Sequence, residues 1–125
     1  MNGLAAGAGV DAGALPLSHA PLPAEEVLAG APTTAVQELA TLGGVETGGV
    51  EIGGVEIGVW EMTPGTATDT EADEVFVVLS GRATISFASP ELPDLAIGPG
   101  SVVRLTEGMR TTWTVTETLR KVYVA

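Results

Sequence analysis

A chain of 125 residues, 45% apolar and 17% charged, is long enough for one hydrophobic core and not for two. It contains no cysteine, which excludes a disulfide framework, a thiolate metal site and a Cys nucleophile. The net charge is −11, with twelve acids and no Lys or Arg before Arg82, so the chain repels phosphate backbones and anionic lipid; neither a nucleic-acid nor a membrane partner is expected.

Residues 1–22 are rich in Ala, Gly and Pro. They lack the basic start and continuous apolar stretch of a signal peptide, and no run reaches the length of a membrane span. They are expected to form a mobile arm on a cytoplasmic protein, and His19, the only histidine, reads as a solvated linker residue. Residues 23–125 form the single domain. Within it, 23–30 suggests a short helix, with Pro23 at its start, Glu25 and Glu26 near the positive end of the dipole, and Gly30 as a stop. Residues 34–42 read as a first strand, with a helical alternative around Gln37 to Ala40.

Residues 43–57 hold three copies of a Gly-Gly-Val-Glu pentapeptide. A period of five would turn Val45, Val50 and Val55 to alternating faces of a continuous strand. Two copies add an even number of residues, so they can be inserted without changing the face buried by the next strand. Residues 55–62 are therefore taken as a strand of the domain and the upstream copies as an inserted hairpin or loop. An acidic ribbon that binds a cation or a partner is the functional alternative.

From Glu74 onward short strands alternate with turn residues. Residues 74–79 and 82–87 are expected to pair across Ser80-Gly81. Residues 95–97 and 101–105 flank the reversal at Gly98-Pro99-Gly100. Residues 111–116 and 119–124 complete an all-β barrel or double sheet.

Three stretches carry a family resemblance: Gly58-Val-Trp-Glu-Met-Thr-Pro-Gly65, Asp73-Glu-Val-Phe-Val-Val-Leu-Ser-Gly81 and Ile97-Gly-Pro-Gly-Ser-Val-Val-Arg-Leu-Thr-Glu-Gly108. Their spacing resembles the two half-motifs of the cupin jelly-roll barrel, in particular the small single-domain branch that includes ureidoglycine aminohydrolase and the ethanolamine-utilization cupins. The resemblance covers roughly residues 55–125. It implies a barrel whose interior binds small polar molecules and which commonly pairs as a homodimer.

The resemblance places Glu74 at the glutamate ligand position, seven residues before Gly81. The two histidine positions fall on Thr68 and Thr70, or on Ala67 and Asp69 if the gap is one residue longer, and the last histidine position falls on Thr111. No histidine occupies any of them, and one Glu with Thr hydroxyls is a poor transition-metal set. Asp69, Glu71 and Asp73 add carboxylates that could hold a hard ion such as Mg2+ or Ca2+, but in a short polar loop they read as solvated charge; no metal and no cofactor are expected.

Glu74 shares a strand face with Phe76 and Val78. It is a candidate general acid or base, and pairing with Arg104 or a Thr hydroxyl is the structural alternative. Thr111, Trp113 and Val115 share another face, so Trp113 either walls a ligand site or fills the core. Arg104 holds an anionic group if it faces the cavity and is a surface charge if it does not. The ligand-binding candidates are thus Thr68, Thr70, Arg104, Thr111 and Trp113. The leading expectation is a metal-free binder of a small polar or anionic metabolite; the alternatives are a small-molecule enzyme using Glu74 and a non-catalytic dimerisation barrel.

Overall fold

The structure, a computed structural model, describes residues 4–125. One curled nine-stranded sheet encloses the core, and a separate two-stranded hairpin projects from it. In chain order the strands are β1 (Ala20–Pro21), β2 (Val27–Gly30), β3 (Thr33–Leu42), β4 (Val45–Thr47), β5 (Val50–Ile52), β6 (Val55–Met62), β7 (Gly65–Thr70), β8 (Glu74–Ser89), β9 (Glu91–Ile97), β10 (Val102–Leu105) and β11 (Arg110–Val124). The path β1-β3-β6-β11-β7-β2 forms one run, and β8 joins it by pairing with β9, β10 and β11. This is the all-β architecture that the alternating apolar pattern indicates.

Strand β11 is the spine. Its first half pairs with β7 and its second half with β6, while β8 follows it on the other edge. Period-two alternation sends Trp113, Val115, Leu119 and Tyr123 inward to meet Phe76, Val78 and Ile85 of β8 and Met62 of β6, all buried in one cluster. Ala67, Ala83, Ile97, Val103 and Leu105 complete the cluster.

The structure corrects the expected helix at 23–30. Only Ala24–Glu26 make a 3-10 turn, and Val27–Gly30 continue as β2 against β7. Sheet pairing overrides the weak local preference for helix.

The expected hairpin at Ser80-Gly81 is also absent. Residues 74–89 run on as a single strand, and β10 and β9 pair with its two halves. Gly81 has φ +90°, and a Cβ there would lie 2.0 Å from the Thr118 carbonyl oxygen. The register with β11 shifts on either side of Glu117. Gly81 is therefore the point where two long strands bend together, the work of a bulge rather than of a turn.

Residues 4–22, expected to be a mobile arm, lie against the sheet. Arg120 alternates with the inward Lys121 and so faces outward, where its guanidinium donates to the carbonyls of Ala12 (2.9 Å) and Leu15 (2.8 Å). The Leu4 amide donates to the Leu39 carbonyl. His19, expected to be solvated, hydrogen-bonds Thr33 Oγ1 at 2.9 Å and Glu61 at 2.7 Å. Ala35 and Val59 are buried on this outer face, apart from the main core cluster. Among the described residues no helix is long and apolar enough to cross a membrane.

Candidate functional site

The inner face of β6, β7, β8 and β11 does not pack shut. It leaves a cavity of about 290 Å³, walled by Trp60, Met62 and Trp113 and carrying the polar groups of Asp69, Glu71, Glu74 and Lys121. Trp60 and Trp113 lie 5.7 Å apart between centroids, and Phe76 lies 5.6 Å from Trp113. Trp60 and Met62 point inward with their ladder partners Lys121 and Leu119.

Glu74 reaches this cavity from the first residue of β8, where alternation with Phe76 and Val78 turns it inward. It is not free there. Lys121 Nζ donates to Glu74 Oε2 at 2.7 Å, and the lysine is only 5% exposed. The same ammonium lies 4.2 Å from the centroid of Phe76, 4.5 Å from Trp60 and 4.9 Å from Trp113. Three aromatic faces and one carboxylate thus enclose one cation, all within cation–π range. Lys121 was absent from the sequence candidates. The signal was nonetheless present: Leu119, Lys121 and Tyr123 share a face, and the two apolar members mark it as the inner one.

Thr111 and Trp113 also point inward, but their donors are already used. Thr111 Oγ1 donates to Glu71 Oε2 at 2.6 Å and Trp113 Nε1 to the same oxygen at 2.9 Å. Glu71 is 6% exposed and follows β7 directly; its backbone is locked to Met109 and Gly108. A buried carboxylate needs such donors, and two are supplied. Glu71, expected with Asp69 and Asp73 to be solvated loop charge, is instead buried beneath these two donors.

On β7 the inward face belongs to Ala67 and Asp69, the alternative register weighed for the histidine positions. Asp69 keeps solvent contact at the cavity mouth. Loss of hydration along the wall, and then the neighbouring Glu71 carboxylate, raise its pKa from 3.8 to about 6. Thr68 borders the cavity, and its hydroxyl contacts the Glu26 carbonyl at 3.4 Å. Thr70 is exposed and opens on a second hollow of about 370 Å³ with Arg110 and Thr112. Arg104 lies on the outside, with its side chain 58% exposed and 3.7 Å from Asp73. It alternates with the buried Val103 and Leu105, which take the inner face, so its placement in the cavity is corrected.

The resemblance to cupin barrels raises the question of a metal ion. Among the described residues no group of three His, Cys, Asp or Glu side chains is arranged to hold one. The one histidine is bound on the outer face, and the carboxylate of Glu74 already faces an ammonium. The donor set therefore does not fit a first-row transition metal, which calls for several neutral nitrogen ligands.

The sequence model of the EutQ-like cupin domain matches residues 50–123. Among solved structures, a Pseudomonas syringae protein of unknown function from the DUF861 family superposes with a TM-score of 0.67 at 23% identity, over 94% of this chain and 48% of that one. This chain thus spans about half the length of the Pseudomonas protein. The EutQ protein of Clostridium difficile is similar with a TM-score of 0.56 at 17% identity, over 74% of this chain and 67% of that one. A putative ethanolamine utilization protein Q from Salmonella typhimurium gives 0.55 at 19%, over 74% and 68%. At these identities the likeness is one of fold. Among curated proteins none matches this chain.

Proposed function

The chain belongs to the EutQ-like cupin domain family, and from that premise we propose that it binds a small polar molecule in the cavity beneath Trp60 and Trp113. The observation that carries this reading is the cavity itself. The barrel keeps about 290 Å³ of its interior open and places a part-buried ion pair on the wall. Apolar walls with a few converging polar groups are the usual form of a ligand site.

The groups available to a ligand define its chemistry. Lys121 carries three donors, and its hydrogen bond to Glu74 uses one, leaving two for a ligand oxygen. Asp69 offers an acceptor at the mouth. A compact molecule with a carbonyl or carboxylate oxygen at one end and an N–H or O–H donor at the other suits both. Arg104, on the outside, takes no part.

Native mass spectrometry of gently purified protein tests the reading, together with a thermal-shift panel of small amides, amino acids and carboxylic acids. The expected result is a retained small mass lost on denaturation, or a saturable rise in melting temperature that is reduced in Trp60→Ala. A protein with no retained mass and no response to any panel member would overturn it.

A second reading, catalysis of aminohydrolase or isomerase type, is favoured by Asp69. A carboxyl group with a pKa of about 6 at the mouth of a cavity is suited to proton transfer near neutral pH. In this reading Asp69 takes the acid–base role that the sequence assigned to Glu74, because Glu74 is engaged by Lys121. Loss of turnover with retained binding in Asp69→Asn would establish it.

A further inference from the structure

We propose that the ammonium of Lys121 is the built-in cation of this barrel, held at the cavity wall by Glu74 and three aromatic rings. Four observations meet at one atom. Lys121 Nζ is buried, it donates to Glu74 at 2.7 Å, and it lies 4.2–4.9 Å from the centroids of Phe76, Trp60 and Trp113. It also borders the open cavity rather than a sealed core.

The chemistry of this seat selects for an ammonium. A divalent ion needs several lone-pair donors at short range, and aromatic faces supply none. An ammonium needs one carboxylate to balance its charge and is attracted by the negative faces of aromatic rings. Removing the lysine would leave the Glu74 carboxylate buried without a partner, which is costly, whereas neutralising both members of the pair is far less so. The seat therefore favours a monovalent cation over a divalent one, and the chain supplies that cation from its own side chain. This inference concerns the empty barrel and does not depend on what the cavity binds, so it stands or falls separately from the ligand-binding reading.

The test is chemical rescue. Lys121→Ala removes the equivalent of propylammonium, three carbons and the ammonium. We expect the variant to melt well below the parent protein. Propylammonium chloride should raise its melting temperature saturably and leave the parent unchanged; propanol, which fills the same space without charge, should restore much less. Rescue by propanol equal to that by propylammonium would show cavity filling alone and overturn the proposal. So would a Lys121→Ala protein as stable as the parent, or a parent that takes up manganese, nickel or zinc stoichiometrically with a change in melting temperature. If Lys121→Ala does not accumulate as folded protein, the double variant Lys121→Met/Glu74→Gln is compared with Lys121→Met. The double variant is expected to be the more stable of the two, and the reverse order would overturn the proposal.

Discussion

Leu42 and Val55 face each other as a ladder pair between β3 and β6, although Gly43 to Gly54 lie between them in sequence. Those residues leave the sheet and return to it as the β4-β5 hairpin, in which Thr47 pairs with Val50 across Gly48-Gly49. Gly48 and Gly49 both have positive φ, as do Gly53 and Gly54, and two successive positive φ values are what a tight type I′ hairpin turn requires. Each Gly-Gly of the repeat is thus competent to close a hairpin. Deleting residues 43–52 joins Leu42 to Gly53-Gly54-Val55 and converts the projection into a two-residue turn. The expected change in stability is below ~1 kcal/mol, since shortening a surface excursion alters closure entropy only slightly. Urea denaturation checks it, and a large loss would show that the hairpin packs on the domain.

Gly81 and Gly100 share φ +90°, but only Gly81 is crowded. A Cβ at Gly100 meets nothing within 4 Å, whereas at Gly81 it meets the Thr118 carbonyl at 2.0 Å. Gly100→Ala is expected to cost about 1 kcal/mol from backbone strain alone. Gly81→Ala should cost ~3 kcal/mol or more, because β8 and β11 must separate at their shared bend. Paired thermal melts of the two variants separate strain from collision.

Removing the hydroxyl of Thr111 leaves Glu71 with the indole of Trp113 as its remaining side-chain donor. Thr111→Val keeps the shape and deletes the bond. The expected loss is ~1.5–3 kcal/mol, the range for a hydrogen bond to a buried charged group. Chemical denaturation measures it, and the loss should shrink in a Glu71→Gln background.

Asp69 gives a pH signature of definite sign. Its folded pKa of about 6 lies above the ordinary value of 3.8, so the folded state holds this proton more tightly than the unfolded state. Its effect is absent below about pH 3.8, destabilises progressively as pH rises through 6, and is complete above that. Asp69→Asn should therefore melt higher than the parent at pH 7.5 and be indistinguishable from it near pH 3.5. A melting-temperature profile against pH reads both limits.

Glu61 carries the opposite sign. Although burial opposes ionisation, hydrogen bonds from Arg120 and His19 hold its pKa below 4.5. Its contribution is present above that value and is lost as pH falls through the folded pKa. Arg120 ties this carboxylate to the carbonyls of Ala12 and Leu15. Arg120→Met is expected to cost about 1–3 kcal/mol by removing a charged hydrogen bond and leaving Glu61 with His19 as its remaining partner, and to speed amide exchange in residues 4–19 before the barrel opens. Hydrogen-exchange mass spectrometry resolves the two regions.

Strand character, inward faces and the site's missing histidines were readable from sequence because they rest on period-two alternation and local spacing. Residues 55–62 form β6, Glu74 shares the inner face with Phe76 and Val78, and Thr111 shares one with Trp113. Ser80-Gly81 reads locally as a hairpin turn, since a glycine of positive φ serves such a turn as readily as a strand bulge. Only β11, lying along both halves of β8, decides for the bulge. The same applies to Arg120 and Lys121, adjacent cations of equal local propensity. One ties the N-terminal segment to the outer face and the other enters an aromatic cavity, because β11 is covered on both sides and alternation separates neighbours. Lys121 beside Glu74 is a pairing across 47 positions of sequence, and no local rule brings such residues together. The sequence by itself determined a β barrel without the histidines of a metal site. The tertiary structure alone decided which cation faces the carboxylate, because that depends on which strands lie side by side.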